Sequence, residues 1–213
     1  MVYDMAEGYK TDFILLVVIV GIAISPGCLS AVIGTPPSYN VPETVTPSPV
    51  IPAGTQTVAE MALAPEDLPA VYFLKDRSVI AYDETGQLAR ELGWMQGYRV
   101  VYFRLNHDSD DITGVRQVIG IYPPQNINRV FAIEKDALLE PSNGTTRYEI
   151  PFPKIGNNSI AIRVIEPGNS RDLIVYSVLF TKNNVCEQIT MGGTATDYEI
   201  LKSIGMRAAD KIR

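Results

Sequence analysis

From residue 58 onward the spacing of apolar positions changes several times, and each change marks an element. Ser159–Ile165 alternates strictly, with Ile160, Ile162 and Val164 on one side and Ser159, Ala161 and Arg163 on the other, the period of a half-buried strand. Asp172–Phe180 is apolar on both sides, which predicts a central strand covered on both faces. Lys182-Asn183-Asn184 is a tight turn into a further strand, Val185–Met191, ended by Gly192-Gly193. Earlier in the chain, Tyr98–Leu105 and Gly114–Tyr122 are rich in β-branched and aromatic residues and flank the polar run Asn106–Asp111, so they read as a hairpin that Pro123-Pro124 stops. Ala64–Pro69 is a capped turn leading into a short strand, Val71–Leu74.

Three stretches carry helical spacing instead. Ala81, Thr85, Leu88 and Leu92 predict a helix ended by Gly93, a natural residue just past a helix C-terminus. Ile127, Val130, Phe131, Ala137 and Leu138 predict a second, closed by Pro141. Thr196 and Glu199 have capping-box spacing ahead of a third, whose buried stripe is Leu201, Ile204, Ala208 and Ile212. The order is βαββα, then three or more strands and a C-terminal helix. Consecutive hairpins with helices laid on them predict an α+β domain with a mainly antiparallel sheet.

The first 57 residues follow a different pattern. Phe13–Ser25 is an uncharged apolar run, shorter than the ~20 residues a spanning helix needs and within the ~7–15 of a signal-peptide core. Pro26-Gly27 breaks it and Cys28 follows. Lys10 is the only base before the run and Lys75 the first after it, a charge bias that points the C-terminal part outward. Residues 34–57 are dominated by Pro, Thr and Ser, which gives an extended linker without a core and with candidate O-glycosylation positions. The expected organisation is residues 1–28 as signal peptide with lipobox, or as an uncleaved signal anchor; 29–57 as linker; and 58–213 as an extracytoplasmic domain. In the first case Cys28 carries lipid. In the second the apolar segment continues through Ile33 and crosses the bilayer.

Charge narrows the partners. The net charge is −6 and the isoelectric point about 4.9, which disfavours nucleic acid, a partner that calls for a basic stripe. Residues 1–56 hold Lys10 against Asp4, Glu7, Asp12 and Glu43, leaving 17 basic and 20 acidic groups in the rest, close to balance. Two cysteines, Cys28 and Cys186, allow one disulfide at most and no thiolate metal site. No cofactor is expected.

Candidate chemistry is sparse. His107 is the single histidine and lies in the hairpin loop with no nucleophile motif near it. Asp108, Asp110 and Asp111 cluster hard oxygen ligands of the kind Ca²⁺ takes, a candidate weak calcium site, but an EF-hand loop counted from Asp108 would need Gly at 113 and Glu at 119, where Thr113 and Ile119 stand. Trp94, Tyr98, Tyr102 and Tyr122 could line a groove, though such aromatics more often fill a core. Cys186 reads as a buried small apolar residue. Asn143 and Asn157 head glycosylation sequons in predicted loops.

Gly27-Cys28 after an apolar run resembles a bacterial or archaeal lipoprotein signal. Asp67-Leu68-Pro69, Leu92-Gly93-Trp94, Ile155-Gly156-Asn157-Asn158-Ser159 and the hairpin running into a C-terminal helix resemble small surface lipoproteins of methanogenic archaea, with a fold similar to the PsbP-like and LpqN-like lipoprotein domains. The resemblance covers roughly residues 60–213 and rests on turns. It implies an anchored outward-facing domain and no particular site residue. The function expected is a non-enzymatic binding or interaction module held at the membrane through its N-terminus. The alternatives are an accessory subunit of a membrane complex and a hydrolase without a recognisable motif.

Overall fold

The computed structural model describes residues 56–106, 111–142, 144–168 and 172–213. The chain enters at a one-turn helix, α1 (Val58–Met61), capped by Thr57, whose hydroxyl accepts from the Glu60 amide while the Glu60 carboxylate accepts from the Thr57 amide. A 3-10 turn at Pro65–Asp67 follows. Then come β1 (Phe73–Ile80), α2 (Gln87–Glu91), β2 (Gln96–Asn106), β3 (Asp111–Ile121), α3 (Ile127–Leu139), β4 (Thr146–Ile150), β5 (Asn158–Glu166), β6 (Leu173–Lys182), β7 (Val185–Gly193) and α4 (Tyr198–Lys211).

The strands make one seven-stranded sheet in the order β1-β2-β3-β7-β6-β5-β4, antiparallel throughout. It is two meanders, β1–β3 and β4–β7, joined where β3 pairs with β7. α3 carries the chain from the middle of the sheet to the far edge. The fold is α+β, as the spacing predicts.

Helices cover the two faces unequally. On one face α4 lays Leu201, Ile204, Ala208 and Ile212 against Val178, Phe180 and Ile189, and α1 with the segment to Tyr72 continues that layer over Val100, Tyr102 and Val115. Each of those large side chains contributes roughly 1.5–3 kcal/mol by leaving water. On the other face α3 buries Ile127, Val130 and Leu138 over Ile160, Ile162, Val175, Leu179 and Cys186. Between the two layers, β7 is buried almost along its length and β6 from Ser177 to Thr181.

The N-terminal strap is fastened to α4 by polar bonds. The Lys211 ammonium meets the Asp67 carboxylate at 2.7 Å, and the Arg207 guanidinium donates to the Asp67 carbonyl at 2.8 Å. Gln56 joins the ends: its amide donates to the Lys211 carbonyl at 2.6 Å and accepts from the Arg213 amide at 3.1 Å.

The structure corrects the sequence reading in four places. The helix expected from Ala81 is only Gln87–Glu91. Ahead of it the Ala81 amide donates to the Glu84 carboxylate and the Thr85 hydroxyl to the Ala81 carbonyl, local bonds that hold a turn in place of helix. Gly93 ends it as expected, at φ +81°. The strand expected at Val71–Leu74 runs instead from Phe73 to Ile80, and β4 is a strand the pattern does not signal. The cap of α4 is Asp197 rather than Thr196, because its carboxylate accepts from both the Glu199 and Ile200 amides, at 2.8 and 3.2 Å.

Candidate functional site

Three polar groupings interrupt the apolar faces. The first lies on the α4 face beyond the end of that helix. Register places Tyr148 of β4 opposite Arg163 of β5, and Arg163 opposite Tyr176 of β6, so the three share a face on neighbouring strands. The Arg163 guanidinium lies over both rings, 5.9 Å from the Tyr148 centroid and 5.8 Å from that of Tyr176. Tyr198 at the start of α4 extends the array, its ring 5.3 Å from Tyr176, and its hydroxyl donates to the Pro151 carbonyl. Lys202 lies over the Tyr198 ring and is paired with Glu199. The Arg163 Nε is buried without a hydrogen-bond partner, and among the described residues Arg163 makes no ion pair.

A second grouping crosses the middle of the opposite face. Gln188 Nε2 donates to the Thr190 hydroxyl at 3.3 Å, which is 3.0 Å from that of Ser177. Arg116 stands opposite Thr190 in the register, and its guanidinium is pushed down to about 10, first by burial and then by the nearby charge of Arg99. Arg99 is held by Ser78 at 3.2 Å and by Asp76 at 3.8 Å. On the sheet-facing side of α3, burial raises the Glu134 carboxyl. Burial, and then the nearby Glu134, also raises the Cys186 thiol.

The third is inside the core. Glu187 of β7, fully buried, accepts from Gln117 Nε2 at 2.6 Å, and Gln117 Oε1 accepts from the Leu63 amide at 2.7 Å. The Tyr102 hydroxyl donates to the Leu63 carbonyl at 2.9 Å. This chain ties the strap to the sheet centre. Burial pushes the Glu187 carboxyl up to about 8, against the smaller opposing effects of Gln117 and Lys211. Its Oε1 is a structural acceptor, while Oε2 is buried with no hydrogen-bond partner among the described residues.

The residues singled out from sequence do not converge. Cys28, His107, Asp108, Asp110 and Asn143 lie outside the described residues, as do the proposed signal segment and all but the last two residues of the linker. Asp111 opens β3 and accepts from the Thr194 hydroxyl at 3.0 Å. Asn157 is exposed, and its Oδ1 accepts from the Asn183 amide at 2.9 Å across a turn. Tyr102 and Tyr122 are buried, and they belong with different core layers, Tyr98 beside Tyr102 and Trp94 beside Tyr122, so the four aromatics line no common groove. Cys186 is a buried free cysteine, as expected. A shallow depression of about 490 Å³ beside α3 is lined by Ile133, Asp136, Leu139 and Glu140. Among the described residues no His, Cys, Asp and Glu group could hold a metal ion, and no helix is long and apolar enough to cross a membrane.

The sequence pattern does not single out Arg163, Tyr148 or Tyr176. Alternation puts Arg163 on the less apolar side of its strand, but the stack depends on pairing with β4, whose sequence carries no strand signal. Glu187 and Gln117 were detectable, since each occupies an inward position between apolar residues, Val185 and Ile189 for one, Val115 and Ile119 for the other.

No family model matches the chain. No curated protein matches it either. Among solved structures it is similar to the extracellular domain of PknH from Mycobacterium tuberculosis, with a TM-score of 0.54 at 11% identity, over 73% of this chain and 94% of that one. A second similar structure is an uncharacterized protein from Mycobacterium smegmatis, with a TM-score of 0.43 at 10% identity, over 73% of this chain and 96% of that one. At 11% identity the likeness to the PknH domain is one of fold.

Proposed function

We propose that the chain is an extracytoplasmic, non-enzymatic binding module tethered to a membrane by its N-terminus. The observation that carries the binding role is Arg163, a guanidinium held between two tyrosines, whose Nε is buried with no hydrogen-bonding partner among the described residues. Arg and Tyr are the side chains over-represented where proteins make their strongest contacts. The outward location is supported by the short apolar run ahead of Cys28, and by a fold shared with a domain described as extracellular. The tether is lipid on Cys28 in this reading, with an uncleaved anchor through residue 33 as the alternative. The relationship to archaeal surface lipoproteins and to PsbP-like and LpqN-like domains belongs to the same proposal and is supported by its turn motifs. So do glycans on Asn143 and Asn157 and weak Ca²⁺ binding by Asp108, Asp110 and Asp111.

The test is topology. Cells expressing the full chain are treated intact with protease, and the membrane fraction is probed for the domain. Loss of the domain from intact cells, with Cys28→Ser releasing it or leaving it unprocessed, is the expected result. A protected, cytoplasmic domain overturns the reading. A Cys28→Ser protein that behaves like the parent, with Met1 retained by intact mass, replaces lipid with the anchor.

A further inference from the structure

We infer that the Tyr148–Arg163–Tyr176 face binds a carboxylate group, with Arg163 as its anchor. The inference rests on the reading of the domain as a binding module and names the chemistry of what it binds.

A guanidinium carries five N–H donors and no acceptor, so only acceptor groups complete it. Among the described residues Arg163 touches the two rings and its Nε, out of reach of water, has no hydrogen-bond partner, while its two Nη groups are not buried orphans. Burying a donor unsatisfied costs about 1–3 kcal/mol, more when it is charged. Nε bears that cost inside the fold, and the Nη groups are the donors left for a ligand. Arg147, Arg104 and Arg207 each donate to carbonyls within the fold, and Arg99 is held by Ser78 and Asp76.

The rings select the shape of the ligand. Tyr148 and Tyr176 stand on the strands either side of Arg163, so they flank the guanidinium, and with Nε buried the Nη side is the approach left to a ligand. A carboxylate is planar and presents two oxygens that match the fork of an arginine in its own plane. A tetrahedral phosphoryl group projects oxygens out of that plane, toward the rings. Charge selects in the same direction. Lys202 is neutralised by Glu199 at 2.6 Å, which among the described residues leaves one uncompensated cation at this face for one anionic charge. The Tyr148 ring, 36% exposed on the sheet edge, offers an apolar surface beside the anion, so a carboxylate carried on a flat ring fits better than a bare one.

The experiment follows the Arg163 Nε–H resonance in the full chain, purified in detergent, with sodium benzoate, sodium acetate, sodium phosphate and sodium chloride as probes. Benzoate is expected to shift that resonance saturably, acetate to shift it with weaker affinity, and chloride at matched ionic strength to leave it in place. Arg163→Lys keeps the charge and loses the fork, and is expected to weaken benzoate about tenfold, a loss of about 1.4 kcal/mol. Thermal melts of the variant check its fold, and the titration of the unsubstituted protein stands without it. The inference is overturned if benzoate moves the resonance no more than chloride does, if phosphate binds as tightly as benzoate, or if folded Arg163→Lys binds benzoate unchanged. Saturable benzoate binding by a domain found inside the cell would sink the extracytoplasmic reading and leave this one standing.

Discussion

β7 and β1 are antiparallel strands of one sheet, of 9 and 8 residues, and they sit in opposite environments. β7 lies between α3 on one face and α4 on the other, and eight of its nine positions are buried. β1 is an outer edge on which none of the described helices packs extensively; it is exposed nearly throughout, with Val79 at 66% and Phe73 at 46%. The meander β4–β7 is thus a three-layer structure toward its middle, and β1 is held chiefly by its ladder to β2. Stability is concentrated in the first region. The second contributes surface.

Substitutions sharpen that contrast. The largest effect is expected for Ile189→Ala on β7, where a side chain with no exposure leaves a cavity in the α4 layer; about 3 kcal/mol should be lost in denaturant unfolding. A loss below about 1 kcal/mol would mean that the centre is not the tight region described.

Next is the pH dependence set by Glu187. Its folded-state value of about 8 lies above the ~4.3 of an unfolded glutamate, so the native state holds a proton that the unfolded chain has released. That stabilisation is complete below about pH 4 and is lost as pH rises toward 8. Gln117 and Lys211 are the groups acting against the shift. Glu187→Gln, neutral at every pH, should therefore gain stability over the parent from pH 5 to about 8, read as a widening difference in Tm. Parallel curves for the two proteins across that range would overturn the assignment.

Smaller again is the fastening of the strap. Lys211→Met removes the contact with Asp67, whose partners are 25% and 18% exposed, and should cost about 1 kcal/mol with cooperative unfolding retained. Hydrogen exchange should rise at the Leu63 and Ala64 amides before it rises in β7. The smallest effect belongs to the open edge: Val79→Ala should change stability by no more than about 0.5 kcal/mol.

The same contrast separates what could be read along the chain from what could not. β5, β6 and β7 announce themselves because burial imposes alternation or continuous apolarity, and the stripe Leu201, Ile204, Ala208, Ile212 is read correctly because all four face the sheet. The two strands missed or misplaced, β1 and β4, are the two edges. Lys75-Asp76-Arg77-Ser78 and Thr146-Arg147-Tyr148-Glu149 bury little, so nothing constrains their polarity, and backbone pairing alone makes them strands. The Arg163 array was out of reach for that reason: one of its rings comes from such an edge, and cross-strand partners at sequence separations of 13 and 15 residues leave no local period. His107 and its aspartates attract attention because of their residue types, and chemistry-bearing types in a polar loop are common without being a site.

The edge also bears on how copies of the protein behave together. β1 has a register shift between Leu74 and Asp76, where Lys75 is the extra residue of a bulge. An unpaired strand is a template for another chain, and the exposed Phe73, Leu74 and Val79 would reward such pairing. The bulge breaks the regular row of donors and acceptors that a neighbour would need, and the charges of Lys75, Asp76 and Arg77 at its centre would have to be desolvated on contact. Many copies crowded side by side can then collide by this edge without adding strands to one another through β1.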